Sequence, residues 1–438
     1  MRRKRIWRYR LMGAVFFFLS LLAAPSHAER AGNVVLVGEI RGVINPVSAG
    51  YVNRLISRGE MEHVNLIVIQ LDTPGGLETS MREIIQKIIN SSVPVAVYVS
   101  PHGARAASAG VLITMSAHIA AMAPSTNIGS AHPVNLVGPS QEDKVMLEKI
   151  TNDAVAFART LAKRHGRNAD WAEDAVRKSV SVTEEIALKK KVVDLVVPSL
   201  DSLLAEVDGR KTTTSMGAVK VRTRGAEIRR APMNGVERFL FIISNPNIAF
   251  ILMLLGVMGM IYEVTSPGAL LPGIIGGICI LLAWFSLGSL PINYAGLFLI
   301  ILAFILFIAE TQVLTHGALT IGGLISFVLG SLMLINSEAP YYTISRTLIF
   351  STALLFAVFF SIVVTSAVRA QRRKPASGGE SLVGKEGVAR TALDPTGDVF
   401  LCGERWKGES QSGPIAEGEK IVVVSVAGLT LGIKKKEG

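Results

Sequence analysis

Three stretches of the chain carry residue types suited to nucleophilic chemistry. Asp72-Thr-Pro-Gly-Gly76 closes an apolar run and opens a helical pattern. Its paired glycines put bare backbone N–H groups at a helix N-terminus, where developing negative charge is favoured, one way of building an oxyanion hole. A plain strand-to-helix turn has the same composition. Further on, Gly103-Ala-Arg-Ala-Ala-Ser108-Ala-Gly110 sets Ser108 among small residues at the start of a helix that follows a strand. Small neighbours let a peptide backbone approach the hydroxyl, and close helix packing asks for the same residues. A serine hydroxyl is a weak nucleophile at neutral pH and needs a base. Of the seven histidines, His102, His118 and His132 are nearest in sequence, and they read as a turn, a strand edge and a loop beside Pro133. The other base is a lysine, whose amine burial must keep neutral, moving its pKa from about 10.4 toward 7 at a cost on the order of 4 kcal/mol. Lys149, between Met146 and Ile150, lies at the margin of an apolar helical stripe, while Lys144 follows the polar Gln141-Glu-Asp143 and reads as solvated. The residues alone leave histidine and lysine both open.

These groups must be held by a framework of alternating elements. Apolar β-like runs begin at Asn33–Ile40, His63–Leu71, Val93–Val99 and His118–Ala123, with helical patterns over 46–58, 77–90 and 105–117 between them. Near-continuous apolar strands alternating with helices predict a mainly parallel α/β domain covered on both faces, over 29–200. A long helix follows from Gln141 to His165, with Met146, Ile150, Ala154, Phe157 and Leu161 at helical spacing. Residues 201–238 are polar and basic and read as a linker.

Composition sets these elements beside a membrane. The 438 residues are 50% hydrophobic and 18% charged, too apolar for an ordinary soluble chain. Residues 1–28 have the pattern of a signal sequence: six Arg and Lys, the apolar run Leu11–Ala24, then Pro25-Ser-His-Ala28. From 239 to 368 nearly every window is apolar, divisible into about five spans near 239–261, 269–288, 293–309, 318–335 and 347–368. Five spans after an exported domain return the C-terminus to the cytoplasm, where Arg369, Arg372, Arg373 and Lys374 obey the positive-inside rule. Arg229, Arg230 and Arg238 break it, which an exported domain led by a signal sequence tolerates. A basic, Gly-containing joint at 369–380 leads to 381–438, where short alternating strands predict a small barrel of the oligonucleotide-binding shape.

The net charge of +11 comes from clusters that flank apolar stretches or end the chain, so anionic lipid explains it better than nucleic acid. Two cysteines, Cys279 and Cys402, are too few for a disulfide framework or a thiolate metal cluster. No metal, nucleotide or phosphate-loop motif occurs, so no cofactor is expected. A transporter is disfavoured because Glu263 and Glu310, both at span margins, are nearly the only ionisable residues within the apolar block.

In combination, Leu71-Asp-Thr-Pro-Gly-Gly76, Ala107-Ser-Ala-Gly110, Met122-Ala-Pro124 with Ile128-Gly129 and Pro133, and Lys149-Ile-Thr-Asn152 resemble the long form of the nodulation-efficiency protein D family over the whole chain. That resemblance implies a Clp/crotonase-like serine protease domain of the Clp and signal-peptide-peptidase class, an all-α transmembrane block and an OB-like C-terminal barrel. It implies Ser108 as nucleophile, Lys149 as general base, and the amides of Gly75, Gly76 and Ala109 as the oxyanion hole. It further implies a homo-oligomer, dimer or higher, at a bacterial inner membrane, with the protease domain on the periplasmic face. The implied partner or substrate is a stomatin/prohibitin-like membrane protein, cleaved in an apolar segment. Two departures stand in Val182–Asp194: Lys191 where a glycine is usual, so the helix must end differently there, and Ile186 for an acidic residue. Two rivals remain. One is an inactive scaffold that binds stomatin- or flotillin-like partners, and the other a Ser-His-Asp triad with His132 as base.

Overall fold

The computed structural model describes residues 33–133, 141–266, 268, 270–288, 292–313, 315–335, 343–371 and 379–436. The expected signal sequence and the centre of the basic joint lie outside them. The first region runs β1 (Val34–Arg41), α1 (Pro46–Met61), β2 (Leu66–Asp72), α2 (Glu78–Ile89), β3 (Val95–Val99), β4 (Arg105–Ala107), α3 (Ala109–Ser116), β5 (Ile119–Met122), β6 (Asn127–Gly129) and α4 (Gln141–Arg164). It continues with α5 (Ala169–Arg177), β7 (Ser181–Thr183), α6 (Glu184–Lys189), β8 (Leu195–Val196), α7 (Leu200–Val207), β9 (Lys211–Thr214), β10 (Gly217–Lys220) and β11 (Glu227–Arg230).

Six strands form one parallel sheet in the order β11-β1-β2-β3-β5-β8. Alternation along each strand divides its side chains between two cores. Leu36, Ile40, Ile67, Ile69 and Leu71 enter the larger one, against Val52, Leu55 and Ile85 of α1 and α2. Val35, Val37, Leu66 and Val68 enter the other, under Leu203, Leu204 and Val207 of α7. Both faces are therefore covered, as the apolar runs predict. A smaller sheet, β4-β6-β7, is joined to the end of β2 by a parallel bridge between Thr73 and Ala106. The supposed linker after residue 200 is structured, because β11 adds to the open edge of β1. Tyr51 strengthens that seam: its hydroxyl donates to Ala231 O at 2.7 Å and accepts from Glu39 N–H at 3.0 Å.

The apolar region holds α8 (Gly235–Ile243), α9 (Pro246–Thr265), α10 (Leu270–Leu287), α11 (Tyr294–Gln312), α12 (Ala318–Met333) and α13 (Arg346–Gln371). Three stretches, Pro246–Thr265, Leu270–Leu287 and Arg346–Ser366, are long and apolar enough to cross a membrane, with mean hydropathy of 2.1 to 2.5. Tyr294–Glu310 and Ala318–Met333 are apolar and shorter. The run expected from 239 to 261 is broken in two, since Asn245 caps α9 and Pro246 opens it. Glu310 accepts from Thr315 Oγ1 at 2.8 Å and from the Gly317 and Thr320 amides at 3.0 Å. Its carboxylate is thereby spent on the start of α12, which further disfavours a transport role.

The last region is a closed barrel of β12 (Glu386–Ala389), β13 (Thr396–Leu401), β14 (Glu404–Ser410), β15 (Lys420–Ala427) and β16 (Thr430–Lys435), ordered β12-β13-β14-β16-β15. The β14–β16 pairing is parallel and the others antiparallel, as in the oligonucleotide-binding shape. Leu393, Val399, Leu401, Ile421, Val423, Leu431 and Ile433 fill its interior.

Candidate active site

Two turns that follow strands of the main sheet are knitted together by Thr73. Its N–H donates to Arg105 O at 2.8 Å, and its carbonyl accepts from Ala107 N–H at 3.1 Å. A Cβ on Gly110 would meet the Thr73 methyl at 2.6 Å, so only glycine lets α3 begin this close to the Asp72–Gly76 turn. The Thr73 hydroxyl donates to Gly75 O at 3.1 Å and accepts the Gly75 amide at 3.0 Å. Gly76 is pressed against Ile44, whose carbonyl oxygen lies 2.0 Å from where a Cβ would stand. Sequence reading found the glycines and passed over Thr73; a hydroxyl two residues before a turn amide is the signal for such a local bond.

Ser108 occupies the position before α3 with φ +52° and ψ −115°, a backbone conformation ordinarily left to glycine. Its N–H donates to Gly129 O at 3.1 Å, which holds the strained corner in place. The side chain is half-buried and makes no capping hydrogen bond, so its hydroxyl remains available. Among the described residues, the Gly76 and Ala109 amides donate to no acceptor, whereas the Gly75 amide is taken by Thr73. Two open amides thus stand on the turn and helix start that Thr73 joins.

Lys149 lies on α4. Val155, Ala158, Leu161 and Ala162 of this helix are buried in the larger core, while Phe157 packs at its edge beneath the Arg82 guanidinium, 4.6 Å away. Arg82, on α2, also pairs with Asp153 and with Glu78 at 2.8 Å. Lys149 is one turn before Asp153 and shares its face, the face turned to α2. The apolar stripe reaches the core only from Ala154 onward: Met146 is 59% exposed, and Lys149 is exposed with it in the single chain.

The histidines near Ser108 in sequence are engaged elsewhere. His102 and His132 bind Pro124 O and Val176 O through Nδ1, each at 2.8 Å. His118 is buried and accepts Val95 N–H at 3.2 Å; desolvation, helped by His165 and the neighbouring arginines, pulls its pKa down to about 4. Among the described residues no group of acidic, histidine or cysteine side chains is arranged to hold a metal ion.

Comparison with known proteins places the whole chain. Residues 34–201 match the N-terminal domain of NfeD1b, 247–366 the NfeD integral membrane domain, and 379–435 the NfeD-like C-terminal, partner-binding domain. A membrane-bound protease of Pyrococcus horikoshii is 36% identical over 433 positions, covering 96% of this chain and 97% of the relative. The chain belongs to the NfeD family. The NfeD relative in Bacillus subtilis, the membrane protein NfeD1b, is 26% identical over 453 positions, 98% of each chain. A lysine-to-alanine variant of the 1510-N membrane-bound stomatin-specific protease, solved with a substrate peptide, is 36% identical over 49% of this NfeD chain and 98% of that one, with a TM-score of 0.45. With a near full-length match to a membrane-bound protease, this NfeD protein is itself a membrane-bound serine peptidase.

Proposed function

We infer that the peptidase chemistry is run by Ser108 and Lys149. Ser108 attacks the scissile carbonyl as its proton passes to the Lys149 amine, and the tetrahedral oxyanion is held by backbone amides of the Gly75–Gly76 turn and Ala109. The amine proton then passes to the leaving group, and the same lysine activates the water that hydrolyses the acyl-enzyme. Within the proposed hole, Gly76 and Ala109 are the donors with no partner among the described residues, and Gly75 contributes through the turn it shapes. The observation that carries this reading is the strained Ser108 at a helix start, with its hydroxyl uncapped and open amides beside it.

A lysine base must be shielded from water to act as a free amine. The exposed Val145, Met146 and Lys149 suit cover by a second copy of this chain or by bound substrate, which favours a homo-oligomer. The substrate proposed is an apolar segment of a stomatin-like membrane protein, also the class of partner proposed for the barrel. In this reading the protease domain lies outside the inner membrane and the barrel on the cytoplasmic side. Exposure of Lys149 in the single chain also favours the rival reading, a scaffold that binds such partners without cleaving them.

The full-length protein in detergent, incubated with an apolar peptide resembling a stomatin tail, tests both. Cleavage lost on Ser108→Ala and on Lys149→Ala, and kept in His132→Ala, is the expected result. Loss on Ser108→Ala and on His132→Ala, with cleavage kept in Lys149→Ala, would establish a triad instead. Binding of the partner without hydrolysis by wild type would establish the scaffold.

A further inference from the structure

Beside the proposed catalytic turn lies a cavity that the dyad does not use. We propose that it is an apolar substrate subsite, receiving a large apolar side chain of a peptide that reaches Ser108 from the membrane surface; this rests on the peptidase reading above. The cavity has a volume of about 330 Å³ and is lined by Gly42, Val43 and Asn45 from the end of β1, and by Phe241, Ile242 and Ile248 from the α8–α9 junction. That volume accommodates a leucine or phenylalanine side chain.

Its place relative to the reacting groups is set by Ile44. Ile44 N–H donates to Gly75 O and Ile44 O accepts from Leu77 N–H, both at 2.8 Å, so the cavity rim and the oxyanion turn are adjacent strands of backbone. Neighbouring strands stand about 4.8 Å apart and an extended peptide advances about 3.4 Å per residue, so the cavity suits a side chain about two or three residues from the scissile bond.

The wall contributed by α8 is firmly held. Glu237 closes a capping box with Asn234 and pairs with Arg54 of α1 through both carboxylate oxygens, at 2.6 and 2.7 Å. The Phe241 ring comes within 3.3 Å of where a Cβ on Gly42 would stand, and Gly42 has φ +123°. The outer face of α8 is apolar and uncovered: Val236, Phe239 and Ile242 are 68%, 49% and 48% exposed. Since α8 leads straight into the apolar α9, this face suits the bilayer surface, and Ile242 belongs both to it and to the cavity wall. A segment leaving the membrane would therefore meet the subsite before the nucleophile.

The test uses the full-length chain in phosphatidylcholine nanodiscs. Quenched-fluorescence peptides differing at one position, alanine against leucine or phenylalanine, are compared with a p-nitrophenyl acyl ester too short to reach the cavity. Wild type should turn over the leucine and phenylalanine peptides with kcat/KM roughly 10- to 100-fold above the alanine peptide. Val43→Trp, which fills the cavity, should abolish that preference through KM. A benzophenone at the same peptide position, photolysed with Ser108→Ala, should attach within residues 41–45 or 241–248. Attachment elsewhere, or a preference that survives both Val43→Trp and Ile248→Trp, overturns the subsite. Attachment abolished by added phosphatidylglycerol also overturns it and makes the occupant a lipid chain. If wild type hydrolyses neither peptide nor ester, the peptidase reading fails, and the attachment site alone then decides whether the cavity takes a peptide.

Discussion

At the scale of the residue, the distinguishing feature is that Ser108 sits where glycine belongs. A non-glycine residue in such a conformation costs on the order of 1–3 kcal/mol, which the surrounding bonds must sustain. The Gly129 carbonyl and the Thr73-bridged start of α3 do so. Ser108→Gly should therefore remove hydrolysis by on the order of a thousandfold or more and yet stabilise the fold by about 1 kcal/mol. Parallel activity and urea-unfolding measurements on the variant check this, and a destabilised variant would show that the corner is not strained. Ser108 and its small neighbours were readable in the sequence. The division of labour among the amides was not, because it depends on which one the Thr73 hydroxyl reaches.

Among the elements, α6 exposes a local compromise. Its expected departure from the family pattern at Lys191 is accommodated by Lys191 itself taking φ +58°, while Val192 N–H closes back onto Ala187 O at 2.8 Å. Lys191 is exposed and has no need of its side chain for that turn. Lys191→Gly should raise stability by roughly 0.5–1 kcal/mol with cleavage unchanged, read as a shift in the urea midpoint at constant slope. The start of α9 makes a complementary point. Hydropathy alone runs α8 and α9 together, and the Asn245-Pro246 cap separates a short helix from one long and apolar enough to span a membrane.

At the scale of the whole molecule, the buried interior of the first region sets its response to acid. The rings of His118 and His165 lie 5.7 Å apart beside the buried Arg167, which donates to Met115 O and Ala117 O and pairs with Asp194 at 2.6 Å. Burial, reinforced by the nearby arginines, lowers both histidines from 6.5 to about 4. Both are neutral when folded, so the unfolded chain takes up protons first. Their contribution is fully present above about pH 6.5 and is lost as pH falls toward 4, by on the order of 3 kcal/mol for the buried His118 and less for the more exposed His165. Urea titrations of residues 33–231 across that range should show the loss, and His118→Phe should flatten it; an unchanged slope would assign the acid response elsewhere. The barrel carries a separate core, so residues 379–436 should unfold cooperatively when expressed alone, with coincident transitions by fluorescence of Trp406 and by far-UV circular dichroism.

Much of this architecture is local in origin and could be read from the sequence. Strand runs such as Leu66–Asp72 and Val95–Val99 declare themselves because parallel strands buried on both faces must be apolar throughout, and the apolar block from 239 to 368 because lipid tolerates little else. The serine, the paired glycines and Lys149 were nameable for a similar reason, since chemistry restricts the residue types that perform it. Only tertiary structure decided that β11 closes the edge of β1, because a short basic strand carries no periodic signal until a partner supplies its hydrogen bonds. It likewise decided that Thr73 joins two turns over thirty residues apart, and that Phe241 and Ile242 line one cavity with Gly42 and Val43. Those contacts join residues distant in the chain, and the order of residues along it does not specify which of them will meet.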